Sequence, residues 1–157
     1  MSSNPAPARA LQQLQDGNRR FVSNTVDVQQ MVSSLRAEAS ALIGACQVVV
    51  LQHADVSLPA ELLFDAALGQ LKVLRYRDLA FDEALLLRVE RALAATGAPL
   101  LLLLDCSTRG DAADAPAMQA LGRLRERFAQ VIEDDVLIVA GALWQPSTGT
   151  VKFFEAA

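Results

Sequence analysis

Short apolar runs alternate along the chain with segments in which apolar residues recur every three or four positions. The runs at 47–52 and Leu100–Leu104 have strand length and almost no polar positions. This pattern is typical of strands that are buried on both faces of a parallel sheet. Further runs at 71–75, 136–143 and 150–154 complete the set of predicted strands.

Amphipathic segments fill the intervals and predict helices. They cover 8–22, a segment capped by Asp27, Pro59–Leu68, 82–95, and 112–131 with Met118 facing inward. Gly17 is expected to interrupt the first helix. The alternation predicts an α/β fold with a mostly parallel sheet of four strands, a C-terminal antiparallel strand, and helices on both faces. One domain is expected over 8–157, after a flexible tail at 1–7.

Composition narrows the possible partners. The chain has 157 residues, a net charge of −4 and no basic run, which argues against binding to nucleic acid or to an anionic membrane. Its apolar stretches are shorter than the roughly 18 residues that a membrane span needs. It has two cysteines and no recognisable secretory signal, so a reducing, cytoplasmic location is expected.

Candidate chemistry begins where the first strand ends. His53 and Asp55 lie between this strand and the helix that Pro59 opens. Cys106 and Arg109 follow the third strand. In open α/β sheets, ligand sites are built at such strand ends. The chain has a single histidine and lacks phosphate-binding and nucleophile-elbow motifs, so other known chemistries find little support.

Three segments resemble the beta class of carbonic anhydrases. The family's central signature, C-x-D-S-R-x-x-P followed by E-x-x-F-D, resembles the stretch from His53 to Asp65. Its N-terminal L-x-x-G-N-x-R-F motif matches Leu14–Phe21, and its G-A-x-Y-D-x-x-T-G-x-V ending resembles 141–151. The resemblance covers nearly the whole chain. It implies the fold of that family and a homodimer.

The departures from the family fall on the zinc site. Members bind zinc through two cysteines and a histidine, and the metal activates a water for attack on carbon dioxide. Here His53 and Arg109 replace the two cysteines, and Cys106 replaces the histidine. Ser57 replaces the arginine that pairs with the aspartate retained as Asp55. Because arginine offers a metal no lone pair, we expect a degenerate site without zinc, in a protein that does not hydrate carbon dioxide.

Alternatives remain open at this site. His53, Asp55 and Cys106 could form an altered zinc site for carbonate dehydratase or related lyase or hydrolase chemistry. Cys106 could also act as a nucleophile beside His53. In the simplest interpretation, His53 is a hydrogen-bonded pocket histidine and Cys106 a small buried hydrophobe.

Further expectations concern pairing and partners. We expect Asp55 to be buried and therefore to need a counter-charge, and we predict that Arg109 pairs with it in the space that zinc would occupy. Ser57 could cap the helix that follows. In the family, a segment of small residues after the second strand lines the substrate pocket. Here the corresponding segment, 75–79, is bulky and charged, so it should alter or fill that pocket. The protein is expected to be a structural or interaction subunit, either a homo-oligomer or a companion of an active enzyme, or to bind a small anion through Arg109. Its interface would use the N-terminal helices and the apolar edge at Leu71, Val73 and Leu74.

Overall fold

The computed structural model describes residues 5–24, 46–67, 69–106 and 114–154. The helices are α1 (Pro5–Val22), α2 (Ala60–Leu63), α3 (Glu83–Thr96), α4 (Asp114–Arg127) and α5 (Ala129–Glu133). The strands are β1 (Val48–His53), β2 (Leu71–Tyr76), β3 (Leu100–Cys106), β4 (Ile138–Trp144) and β5 (Val151–Phe154). The predicted helix capped by Asp27 lies outside the described residues.

The strands form one sheet in the order β2-β1-β3-β4-β5. Neighbours from β2 to β4 run parallel, and β5 runs antiparallel to β4. The predicted fold class is therefore confirmed. Within the part of the chain described, no helix is long and apolar enough to cross a membrane.

Core residues lie on both faces of the sheet. Alternate residues of β1 point to opposite faces, so Val50 belongs to the same part of the core as Leu14 of α1, whereas Leu51 belongs to the part that contains Val89 of α3. All of the residues from Leu100 to Leu104 are fully buried. This explains why β1 and β3 read as continuous apolar runs rather than as alternating ones.

The first helix differs from its prediction at both Pro5 and Gly17. It begins at Pro5, three residues before the predicted start at Ala8, because proline suits the first helical turn. It also continues through Gly17. This glycine serves a close approach of two backbones: a Cβ placed on it would lie 1.7 Å from the carbonyl oxygen of Phe64.

The helix after β1 is shorter than predicted. It ends at Leu63 instead of Leu68, and Asp65 then adopts a left-handed backbone with φ of 43°. Pro59 is the residue that precedes the first helical turn, and no side chain caps this helix. The predicted capping role of Ser57 is therefore wrong.

The predicted helix at 112–131 is divided in two. Phe128 leaves helical geometry, with φ of −106° and ψ of 18°, and separates α4 from α5. The Phe128 side chain is nevertheless buried. Met118 was predicted to face inward, but it lies on the solvent side of α4 and is 42% exposed.

Candidate functional site

The carboxyl ends of three parallel strands meet at one edge of the sheet. The register pairs His53 at the end of β1 with Tyr76 at the end of β2. On the other side of β1, strand β3 extends past Leu104, the last residue it pairs with β1, to Asp105 and Cys106, which pair with β4. The structure thus places the chemistry predicted after β1 and β3 on neighbouring strands. Arg109 lies outside the described residues, so its position at this edge stays a prediction.

Both ring nitrogens of His53 have hydrogen-bond partners. Nδ1 lies 3.0 Å from the backbone nitrogen of Asp55, and Nε2 lies 3.1 Å from the carbonyl oxygen of Arg77. A carbonyl can only accept, so Nε2 carries the proton and donates it, while Nδ1 accepts from the backbone N–H. One neutral tautomer therefore satisfies both contacts. In this arrangement the imidazole has no free lone pair to give to a metal.

An aromatic stack lies beside His53. The His53 and Tyr76 rings meet edge to face, with centroids 5.1 Å apart and planes at 78°. Phe81 contacts Tyr76 in the same manner, at 5.3 Å and 76°. Burial, and then the charge of Asp105, raises the pKa of Tyr76, so its phenol stays neutral. Sequence reasoning did not single out Tyr76, although its position at a strand end beside β1 was the available signal.

Two carboxylates lie near His53 without bonding directly to its ring. The distances from Nδ1 are 3.6 Å to Asp55 and 4.0 Å to Asp105. The Asp105 carboxylate instead accepts a hydrogen bond of 2.7 Å from the backbone N–H of Cys106. The Asp55 side chain is 69% exposed, so the burial assumed for it is wrong. It needs no counter-charge for desolvation, which removes the reason given for a pair with Arg109.

Cys106 is a buried free thiol. Its pKa is raised by burial first, and then by the charges of Asp105 and Asp55. A thiol with a raised pKa is largely protonated near neutral pH, whereas thiolate is the nucleophilic form. Among the described residues no hydrogen bond joins Cys106 to His53. The arrangement therefore lacks the features of a cysteine–histidine nucleophile pair.

Gln52 holds the turn that carries Asp55 and Ser57. Its side chain is fully buried, and Nε2 donates to the carbonyl oxygens of Val56 at 3.0 Å and Leu58 at 2.9 Å. These bonds fix the path of the chain beyond β1. Ser57 is left on the exposed surface of this turn. Sequence reasoning missed Gln52, although a polar residue at the end of a buried strand was the signal.

The described residues do not fit a zinc ion. No group of three histidine, cysteine or acidic side chains among residues 5–24, 46–67, 69–106 and 114–154 is arranged to hold one. His53 has both nitrogens engaged, and Asp55 points to solvent. The trio His53, Asp55 and Cys106 is therefore not assembled as a ligand set in this structure.

A sequence comparison with known proteins finds a carbonic anhydrase. The carbonic anhydrase of Mycolicibacterium smegmatis is 34% identical over 110 residues, which are 68% of this chain and 52% of that protein. The chain thus spans about half the length of this relative. No protein-family model matches the chain.

Solved structures of beta-carbonic anhydrases share the fold of this chain at lower sequence identity. The beta-carbonic anhydrase CafD of Aspergillus fumigatus has a TM-score of 0.57 and 12% identity, over 69% of this chain and 89% of that one. A tetrameric beta-carbonic anhydrase of Sordaria macrospora has a TM-score of 0.51 and 16% identity, over 85% and 94%. The fold is therefore that of the beta-carbonic anhydrases. The chain itself is carbonic anhydrase-like in sequence.

Proposed function

We propose that this chain is a beta-carbonic anhydrase homologue without the family's zinc site and without carbon dioxide hydration activity. Its role would be that of a structural or interaction subunit. The observation that carries the proposal is the hydrogen bonding of His53, which replaces the family's first cysteine. Both of its nitrogens are bound to backbone groups of its own chain.

Zinc binding would have to overcome these contacts. A metal at either nitrogen would break one hydrogen bond and leave a backbone group without a partner, at a cost of about 1–3 kcal/mol. The exposed Asp55 would also have to turn inward. Arg109, at the position of the family's second cysteine, would add a cation that repels the metal.

Metal content tests this proposal directly. We expect far less than one zinc per chain, by elemental mass spectrometry, in the purified protein before and after incubation with zinc. A triple variant, His53→Cys with Cys106→His and Arg109→Cys, restores the family's ligand types and serves as the positive control. About one zinc per wild-type chain, lost in His53→Ala, would overturn the proposal. It would favour the alternative of carbonate dehydratase or related lyase or hydrolase chemistry.

We also propose a homodimer or larger homo-oligomer in a reducing, cytoplasmic setting. The tetrameric Sordaria macrospora relative supports assembly. So does β2, which lies at the edge of the sheet and leaves one row of backbone groups unpaired among the described residues. Leu71 and Leu74 are buried in their own chain, so the predicted apolar edge offers less surface than expected. A monomer in light scattering at micromolar concentration would contradict this proposal. Association with an active carbonic anhydrase would be tested by mixing the two proteins.

A further inference from the structure

A cavity of about 460 Å³ lies between the end of β2 and the start of α3. Three arginines line it: Arg75 and Arg77 from the end of β2, and Arg88 from α3. The other lining residues include Tyr76, Phe81 and Leu85. The cavity therefore combines cationic groups with an apolar surface.

The arginines have no carboxylate partner within the part of the chain described here. Arg75 donates one long hydrogen bond, of 3.5 Å, to the carbonyl oxygen of Val56. The side chains of Arg77 and Arg88 form no ion pair or hydrogen bond with any described residue. By contrast, Arg127 of α4 binds both Glu83 and Glu90 of α3, each at 2.7 Å. The guanidinium groups of Arg77 and Arg88 are therefore available to a ligand in this cavity.

The acidic residues of the cavity are already engaged. Asp78 accepts a hydrogen bond of 2.8 Å from the backbone N–H of Ala80, and Asp82 accepts one of 2.8 Å from Leu85 at the start of α3. Three arginines face two aspartates in the lining, which leaves the cavity with an excess of one positive charge. The net charge of the whole chain is −4, so the charge of this cavity is opposite in sign to that of the protein as a whole.

We propose that this cavity binds a small organic oxyanion, a carboxylate or phosphate group carried on an aromatic or apolar body. Arg77 and Arg88 would bind the anionic group, because guanidinium forms paired, charge-assisted hydrogen bonds with such oxygens. The body of the ligand would lie against Phe81 and Leu85. Since the backbone of Arg77 also accepts from His53, an occupied cavity would border the degenerate site. Binding at this cavity needs no metal, so it does not depend on the proposed function. Only the biological role of the binding rests on that proposal.

Calorimetric titration of the intact chain tests the proposal. The probes are phenyl phosphate, which has the apolar body, and inorganic phosphate, which lacks it. We expect saturable binding of one phenyl phosphate per chain with a Kd below about 1 mM, and weaker binding of inorganic phosphate. The double variant Arg77→Gln and Arg88→Gln should weaken binding at least about tenfold, since it removes both guanidinium groups.

Arg91→Gln is the matched control. This exposed arginine lies on the same helix but does not line the cavity, so its removal should change the Kd by less than about twofold. Circular dichroism would verify that each variant is folded. No saturable binding up to about 10 mM would overturn the proposal, as would an equal loss in Arg91→Gln, which would indicate general charge attraction. The zinc content of the same sample reports separately on the proposed function.

Discussion

Replacing Asn18 with alanine should destabilise the fold strongly, because this side chain joins three parts of the molecule. Its Nδ2 donates to the carbonyl oxygens of Leu63 at 3.1 Å and Gly149 at 3.2 Å. Its Oδ1 accepts from the backbone N–H of Val151 at 2.9 Å. The residue is 5% exposed, so water cannot readily replace these bonds. The side chain thus ties α1 to the end of α2 and to the turn before β5.

The size of the effect follows from this geometry. Each of the three hydrogen bonds contributes about 1 kcal/mol, and the substitution would leave three backbone groups without a partner. We therefore expect the free energy of unfolding to fall by about 3 kcal/mol or more. This is a large share of the roughly 5–15 kcal/mol typical of a domain. For a chain of this size it corresponds to a drop in Tm of about 6–12 °C.

Urea and thermal unfolding followed by circular dichroism would measure this change. Gln12→Ala is the control, since it removes an exposed hydrogen bond to Asp16 from the same helix and should cost less than about 0.5 kcal/mol. Both variants should be compared at two protein concentrations, because assembly would make stability concentration-dependent. A loss below about 1 kcal/mol for Asn18→Ala, or one equal to that of Gln12→Ala, would refute the reasoning.

Two further predictions concern Gly17 and Cys106. Gly17→Ala should cost about 3 kcal/mol, because its methyl group would lie 1.7 Å from the Phe64 carbonyl oxygen. Gly122→Ala is the control: a Cβ at this position meets nothing within 4 Å, so the substitution should instead stabilise the protein by about 0.5–1 kcal/mol. A Gly17→Ala protein as stable as wild type would contradict the close contact with Phe64. Burial raises the pKa of Cys106 above its ordinary value of 9.0, so above pH 9.0 the unfolded chain loses this proton first and wild-type stability should fall. In urea unfolding, Cys106→Ala should show a smaller fall between pH 8 and 10, and parallel curves would contradict the shift.

The sheet could be predicted because its signal is local. The apolar runs at β1 and β3 are bounded by polar residues or by Pro99, and each has the length of a strand. Helix ends were harder where no capping residue marks them. Asp82, which accepts from the N–H of Leu85, marks the start of α3 within one residue. The ends of α2 and α4 depend instead on backbone geometry at Asp65 and Phe128, which sequence periodicity does not encode.

The candidate site could be predicted as a location but not as an arrangement. Strand ends and register bring His53 to the same edge as Cys106. The exposure of Asp55 depends on how the turn after β1 is held, and this is set by the two bonds of Gln52. The partners of His53 depend on the path taken by Arg77 after β2. Such contacts join residues far apart in sequence or lie within an irregular turn, so residue types alone do not reveal them.

The residues that this chain shares with the carbonic anhydrases and the residues that differ from them have different roles in the structure. Gly17 and Asn18 from the N-terminal motif contact the chain around Phe64, and Arg20 pairs with Asp65 at 2.5 Å. Phe64 and Asp65 belong to the central signature, and the side chains of both are buried. Two retained segments therefore hold each other together. By contrast, His53 and Ser57 replace the family residues that bind zinc and pair with the aspartate. Neither takes part in the contacts described between the N-terminal motif and the segment at Phe64 and Asp65. If the site lacks zinc, as proposed, the first set still serves the fold, and only the second set would no longer be needed.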